Sequence, residues 1–269
     1  MKLLFLDLDG TLLNDEKSIS DGDMQAIDEM IAAGHKVIIN TGRPLYSTLK
    51  IAEKFGFLRE GFYLSTFNGG LIYEPVSKKR LKYDTLSEDI IRYMLDEAYK
   101  MGLHAHTYTD THVVSEKDTK ELKFYTDRIK MPPKVVKDFR EETNGMAPKL
   151  ILISLDGKER LSAYRDKLES YAKENNIYST FSDARLLEYA HPLANKGEAI
   201  RFMCRHLAVD ISDTVAAGDE ENDLPMIETA GVGVCMKNGT LPVKEKADYV
   251  TEHTNNENGI KEIIEKFIL

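Results

Sequence analysis

A chain of 269 residues, 42% hydrophobic and 30% charged, has an ordinary globular composition and the length for one large domain or two unequal ones. Its net charge of −9, with acids and bases intermixed, counts against a nucleic-acid partner, because no block of Lys and Arg can track a phosphate backbone. Cys204 and Cys235, the only cysteines, make neither a disulfide framework nor a metal-ligand spacing, so two reduced core thiols are expected.

Residues 1–6 imitate the start of a signal peptide, but Asp7 and Asp9 interrupt the apolar region too early for secretion. No apolar run has the length to span a bilayer, and a cytoplasmic protein without a membrane partner is expected. Residues 3–6 read as a buried strand that runs into Asp7-Leu8-Asp9-Gly10-Thr11. Ser20 is the predicted N-cap of a helix in which Met24, Ile27, Met30 and Ile31 recur at helical spacing until Gly34. Residues 37–40 are a short β-branched strand leading into Thr41-Gly42-Arg43, and Pro44 opens a further helix that ends at Gly56. Strand, helix, strand, helix is the grammar of a parallel sheet with right-handed crossovers. Residues 62–67 and 71–73 flank Asn68-Gly69-Gly70 and predict a hairpin.

From about Tyr83 the texture changes. Helices are predicted over 87–101, 118–129 and up to 171, and strands over 103–108, 112–115, 149–155, 178–181 and 186–189, with a Pro132-Pro133 break and a polar stretch over 137–145. After His191-Pro192 the first texture resumes: a helix near Lys196, a strand over 214–218, two more over 232–236 and 249–251, and a closing amphipathic helix. The expected organisation is an α/β fold with a Rossmann-like parallel-sheet core, residues 1–82 and 191–269, and an α/β unit inserted over 83–190.

Chemistry concentrates at the strand tips. A buried strand has no structural use for two carboxylates, which unpaired cost several kcal/mol and so demand a cation, a proton or strong donors. The side-chain period of two lets Asp7 and Asp9 face one opening. Thr41-Gly42 ends a second strand, Asp219 a third, and Lys196-Gly197 begins a helix. If these strands are neighbours, their carboxyl ends assemble carboxylates, a hydroxyl with a free amide, and an ammonium, the set that phosphoryl transfer needs.

Asp7-Leu8-Asp9-Gly10-Thr11, Thr41-Gly42-Arg43, Lys196-Gly197 and Gly218-Asp219-Glu220-Glu221-Asn222-Asp223 occur in that order and together resemble the four motifs of the haloacid dehalogenase superfamily. More narrowly, the chain resembles its Cof-type sugar-phosphate phosphatases over nearly its whole length, and the insert between Thr41 and Lys196 is similar to their α/β cap, of C2B type. The resemblance implies a Mg²⁺-dependent hydrolase of small phosphorylated metabolites. Asp7 would be the nucleophile, kept ionised and forming an aspartyl-phosphate, and Asp9 the general acid and base with the higher pKa of the two. The ion would take Asp7, the backbone carbonyl of Asp9 and Asp219, while Asp223 would support the metal shell or Lys196. Thr41, Gly42 and Lys196 would hold phosphate oxygens, with Asn222 a further donor and Arg43 at the phosphate, the substrate or in an ion pair. A phosphomutase or phosphotransferase with the same intermediate is the alternative; a silent phosphometabolite-binding module is the alternative from another class.

Plainer readings exist for single residues. Lys196 alone reads as a solvated lysine at a helix start, and Asp219 with Asp223 as an acidic helix N-terminus that is stabilising without any metal. His104, His106 and His112 imitate a zinc site, but partly exposed sheet residues are the expectation. The tyrosines of the insert are mostly packing.

Overall fold

Leu3-Leu4-Phe5-Leu6 is apolar at every position, and the strand it forms is buried throughout. The computed structural model describes residues 1–145 and 147–269. In chain order the first elements are β1 (Leu3–Leu6), α1 (Asp21–Ala32), β2 (Lys36–Asn40), α2 (Leu45–Lys54), β3 (Phe62–Thr66), β4 (Leu71–Glu74) and β5 (Lys79–Tyr83). Then follow α3 (Glu88–Lys100), β6 (His104–Tyr108), β7 (Val113–Ser115), α4 (Lys120–Ile129), β8 (Pro133–Val135), α5 (Arg140–Thr143), β9 (Lys149–Ile153), α6 (Glu159–Glu174), β10 (Tyr178–Asp183) and β11 (Leu186–Ala190). The last are α7 (Lys196–Leu207), β12 (Thr214–Gly218), α8 (Leu224–Ile227), β13 (Val232–Cys235), α9 (Leu241–Lys246), β14 (Tyr249–Val250) and α10 (Gly259–Phe267).

Two compact units result: Met1–Gly42, Ile51–Lys82 and Ala194–Leu269 form the first, Arg43–Lys50 and Tyr83–Leu193 the second. The first unit is built on one sheet of order β14-β13-β12-β1-β2-β3-β4-β5. β14 through β3 run parallel, and β4 turns back antiparallel on β3. Leu3, Phe5, Ile38, Tyr63 and Ala216 point to one face, where Ala199, Ile200 and Met203 of α7 complete a core cluster. Burying one such side chain stabilises by about 1.5–3 kcal/mol. From β1 the chain winds outward to β2 and β3 on one side and later to β12, β13 and β14 on the other. The β1–β12 boundary is therefore a topological switch point, where the carboxyl ends of parallel strands leave a crevice. The register Leu6↔Ala217 and Leu6↔Ile39 brings the tips of β12, β1 and β2 level.

The second unit holds a sheet of order β10-β11-β9-β6-β7-β8, antiparallel except where β8 runs parallel to β7. One face is apolar: Ala105, Leu150, Leu152 and Leu187 pack with Ile91 and Met94 of α3 and Leu161 and Leu168 of α6. Cys204 and Cys235 are both buried free thiols. No helix is long and apolar enough to cross a membrane among the described residues.

Four features depart from the expected pattern. β8 begins at Pro133, inside the expected break; it lies at the sheet edge, where a missing N–H is tolerated. β5 is charged and half-exposed, and also lies at an edge. The stretch over 137–145 contains α5, and the hairpin turn is a helical one, with Phe67 and Asn68 at φ 53° and 56°.

Candidate active site

The β1 ladder continues one residue past the strand, because Asp7 N–H donates to the Ala217 carbonyl at 3.1 Å. The chain then turns wide: Leu12 N–H donates to Asp7 O and Leu13 N–H to Leu8 O, at 3.2 and 2.7 Å. Gly10 makes this possible twice over. Its φ is +87°, and a Cβ there would run into the Asp219 carboxylate. Thr11 Oγ1 donates to Asp219 Oδ1 at 2.8 Å, which fixes the acid from β12 against the loop from β1.

Lys196 is the first residue of α7, whose N-cap Asn195 accepts from Glu198 N–H at 2.9 Å. The side chain is fully buried, so the solvated reading fails. Its Nζ donates to Asp7 Oδ1 at 2.5 Å and to Asp223 Oδ1. Asp223 Oδ2 accepts from the N–H groups of Asp219 and Glu220 at 2.9 and 3.1 Å. Both Asp223 oxygens are thus engaged in holding Lys196 and the loop.

Oxygens of Asp7, Asp219 and Asp223 lie within 4.8 Å of one another. Burial lifts the Asp7 carboxyl to about 7; Lys196 opposes the rise, and Asp223 and Asp9 add to it. Burial also lifts Asp219 to about 8, helped by Asp7 and Asp223 and opposed by the Thr11 hydrogen bond and Lys196. Burial disfavours the Lys196 charge, but Asp223 and Asp7 outweigh it and hold the ammonium protonated above its usual range. With all three carboxylates ionised, the single ammonium would leave two negative charges unbalanced in a buried site, which is why Asp7 and Asp219 hold their protons in the absence of a cation. An all-oxygen donor set with that charge fits a hard divalent cation. The cluster includes Asp223, expected only in support, and not the Asp9 carboxylate. Asp9 instead pairs with Lys17 at 3.0 Å, both side chains more than a third exposed; such a pair is worth under about 1 kcal/mol and is easily exchanged.

Around this cluster, Thr41 is buried at the β2 tip, donating its N–H to Ser65 O at 2.9 Å and accepting from Asn68 N–H at 3.0 Å. A Cβ on Gly42 would come 2.9 Å from Asn68 Oδ1, and Asn222 Nδ2 donates to the same Asn68 Oδ1 at 3.4 Å. Thr41, Gly42 and Asn222 therefore meet at the Asn68 turn. Arg43 belongs to the second unit.

Asn40 was no candidate in the sequence. Fully buried, it donates from Nδ2 to the Lys196 carbonyl at 3.1 Å while Oδ1 accepts from Ser65 Oγ at 2.8 Å. A polar residue closing an otherwise apolar strand was the available signal.

Residues 4–264 match the family of haloacid dehalogenase-like hydrolases. A Bacillus subtilis relative, the 5-amino-6-(5-phospho-D-ribitylamino)uracil phosphatase YcsE, is 30% identical over 275 residues, 100% of this chain and 96% of its own. Among solved structures, a haloacid dehalogenase-like hydrolase from Bacteroides thetaiotaomicron superposes with a TM-score of 0.89 at 27% identity, covering 98% of both chains. TM0651 from Thermotoga maritima gives a TM-score of 0.85 at 32% identity, over 98% of this chain and 97% of its own. With a parallel sheet, an acid-lined switch point and full-length likeness to these proteins, the chain belongs to the haloacid dehalogenase-like hydrolases and is a phosphatase of that family.

Proposed function

We propose that this phosphatase hydrolyses small phosphomonoesters of hydroxylated alcohols, sugar phosphates among them, through an aspartyl-phosphate on Asp7. The carrying observation is the buried set of Asp7, Asp219, Asp223 and Lys196, in which ionised carboxylates, the attacking Asp7 among them, would outnumber the ammonium by two. A divalent cation, Mg²⁺ in this reading, would be held by Asp7, Asp219 and the backbone carbonyl of Asp9, and would neutralise phosphoryl oxygens as charge develops.

An Asp7 oxygen attacks phosphorus, forming the acyl-phosphate bond as the ester P–O bond breaks. Asp9, released from Lys17, gives its proton to the departing alkoxide. It then takes a proton from water, whose oxygen attacks phosphorus and frees the Asp7 carboxylate with inorganic phosphate. Lys196, Thr41, the Gly42 amide and Asn222 hold phosphoryl oxygens, and Asp223 keeps Lys196 in place. The second unit acts as the cap that selects the alcohol. The named substrate of the Bacillus relative carries a phospho-D-ribityl group, which supports a hydroxylated alcohol here.

Released phosphate measured across a panel of phosphorylated metabolites with Mg²⁺ tests the reading. Turnover without free phosphate, dependent on a bisphosphate activator, would mark a mutase instead.

A further inference from the structure

Two sheet faces carry buried polar side chains where apolar ones would pack as well. On β6, His104 and His106 are buried, against the expectation of partial exposure, and their rings bond each other, Nε2 to Nδ1 at 3.0 Å. The other face is the one on which the sheet of the first unit receives α7. There Ile38 of β2 and its neighbour Tyr63 of β3 pack with Ala199, Ile200 and Met203. Two residues further along, the side-chain period puts Asn40 and its neighbour Ser65 on the same face. Both are fully buried. An amide taken out of water costs stability unless its donor and acceptor ends are bonded, so the core alone gives no reason for this pair.

The bonds show where the amide is directed. Asn40 Nδ2 donates to the Lys196 carbonyl at 3.1 Å, and Met226 Sδ lies 3.5 Å from the same nitrogen. A carbonyl only accepts, so it is the nitrogen end that faces α7. Ser65 Oγ then donates to Oδ1 at 2.8 Å and holds the amide in that orientation. Lys196 is thereby gripped at two places, its backbone by Asn40 and its Nζ by Asp7 and Asp223. Helix ends fray, and Lys196 is the first residue of α7. The bond from Asn40 ties that turn to β2, the strand that leads directly into Thr41 and Gly42.

We propose that Asn40, oriented by Ser65, is a positioning residue for phosphoryl transfer: it fixes Lys196 relative to Thr41 and Gly42, so that all three hold one phosphoryl group. This rests on the roles given to Lys196, Thr41 and Gly42 above. Asn40 and Ser65 act through Lys196 and do not touch substrate. Fixed donors count most where charge develops in the transition state, and a misplacement of about 1 Å can cost about 10²-fold in rate. A loosened ammonium should therefore cost turnover more than substrate binding.

The test uses the full Mg²⁺-loaded chain with p-nitrophenyl phosphate and ribose 5-phosphate, folding being checked by circular dichroism. Asn40→Leu, similar in volume but without the donor, is expected to lower kcat at least about tenfold with KM changed less than about threefold. Ser65→Ala should lower kcat by about threefold or more, and Ser65→Thr, which keeps the hydroxyl, should restore it. A double-mutant cycle separates positioning from general loosening. In a Lys196→Met background, Asn40→Leu should change the residual turnover by less than about twofold, because its partner in catalysis is already gone. Equal losses in both backgrounds overturn the proposal, as does a kcat unchanged within about twofold in folded Asn40→Leu or Ser65→Ala. The Ser65 pair decides if Asn40→Leu or Lys196→Met does not fold. Full turnover in Lys196→Met removes the role given to Lys196 and this inference with it, while phosphatase activity stands. Release of phosphate from neither substrate by the wild type removes both.

Discussion

Burial lifts the Asp7 carboxyl to about 7, whereas attack on phosphorus needs it ionised, and a bound cation is what reconciles the two. Removing its charge should therefore separate activity from stability. Asp7→Asn is expected to lower phosphate release by at least about 10⁴-fold, while the metal-free Tm, read by circular dichroism, does not fall. The same pressure fixes a pH dependence. Asp7 and Asp219 have folded-state values near 7 and 8, above the ordinary carboxylate. Their contribution is present when protonated and is lost as pH rises through those values. In chelator, Tm should fall from pH 6.5 to 8.5, and excess Mg²⁺ should shrink or reverse the fall; a flat profile in chelator would contradict it. Buried neutral His104 acts oppositely only below its usual 6.5. At Gly10, Ala would need φ +87° and a Cβ inside the Asp219 carboxylate. Gly10→Ala is expected to cost about 1–3 kcal/mol and to weaken Mg²⁺ binding by calorimetry. The acids were legible from their places at strand ends, Lys196 only from its order among the other motifs. The Asp9–Lys17 pair and the Asn40 bond to Lys196 were not, since nothing local marks either partner.

Among the helices, α10 shows how an end is capped from elsewhere. Its N-cap Asn258 makes no side-chain cap bond; the buried Asp23 of α1 accepts from Lys261 N–H at 2.8 Å instead. Asp23→Ala should cost about 1–2 kcal/mol in urea unfolding with phosphatase activity retained. Ser20 was readable as the α1 cap because the N–H that donates to it, that of Asp23, is only three residues away. Asp23 was not readable as the α10 cap, because the partner lies on another helix. The same divide holds for strands. β1, β2 and β12 carry unbroken apolar runs, whereas β5 and β8 are edge strands whose charge and proline hide them from periodicity. β6 was legible as a strand, but alternation alone did not say that its histidine face would be buried.

Across the molecule, the switch between β1 and β12 turns four separated motifs into one site, and the cation should matter to the whole. Chelating divalent ions is expected to stop turnover, and adding Mg²⁺ back to restore it; full activity in a protein shown metal-free would remove the metal assignment. Order and grammar were written in the chain: apolar runs ending in acids, a helix opened by Lys196, a long stretch of other texture between Thr41 and Lys196. They are local patterns, readable because helix and strand periods repeat within a few residues. Which charges meet was settled by folding. Lys196 and Asp7 are 189 positions apart, and their contact depends on the register of β1 against β12 and on how α7 packs. Burial likewise follows from packing, and it is burial that raises the carboxyls of Asp7 and Asp219 until only a cation would keep them ionised together.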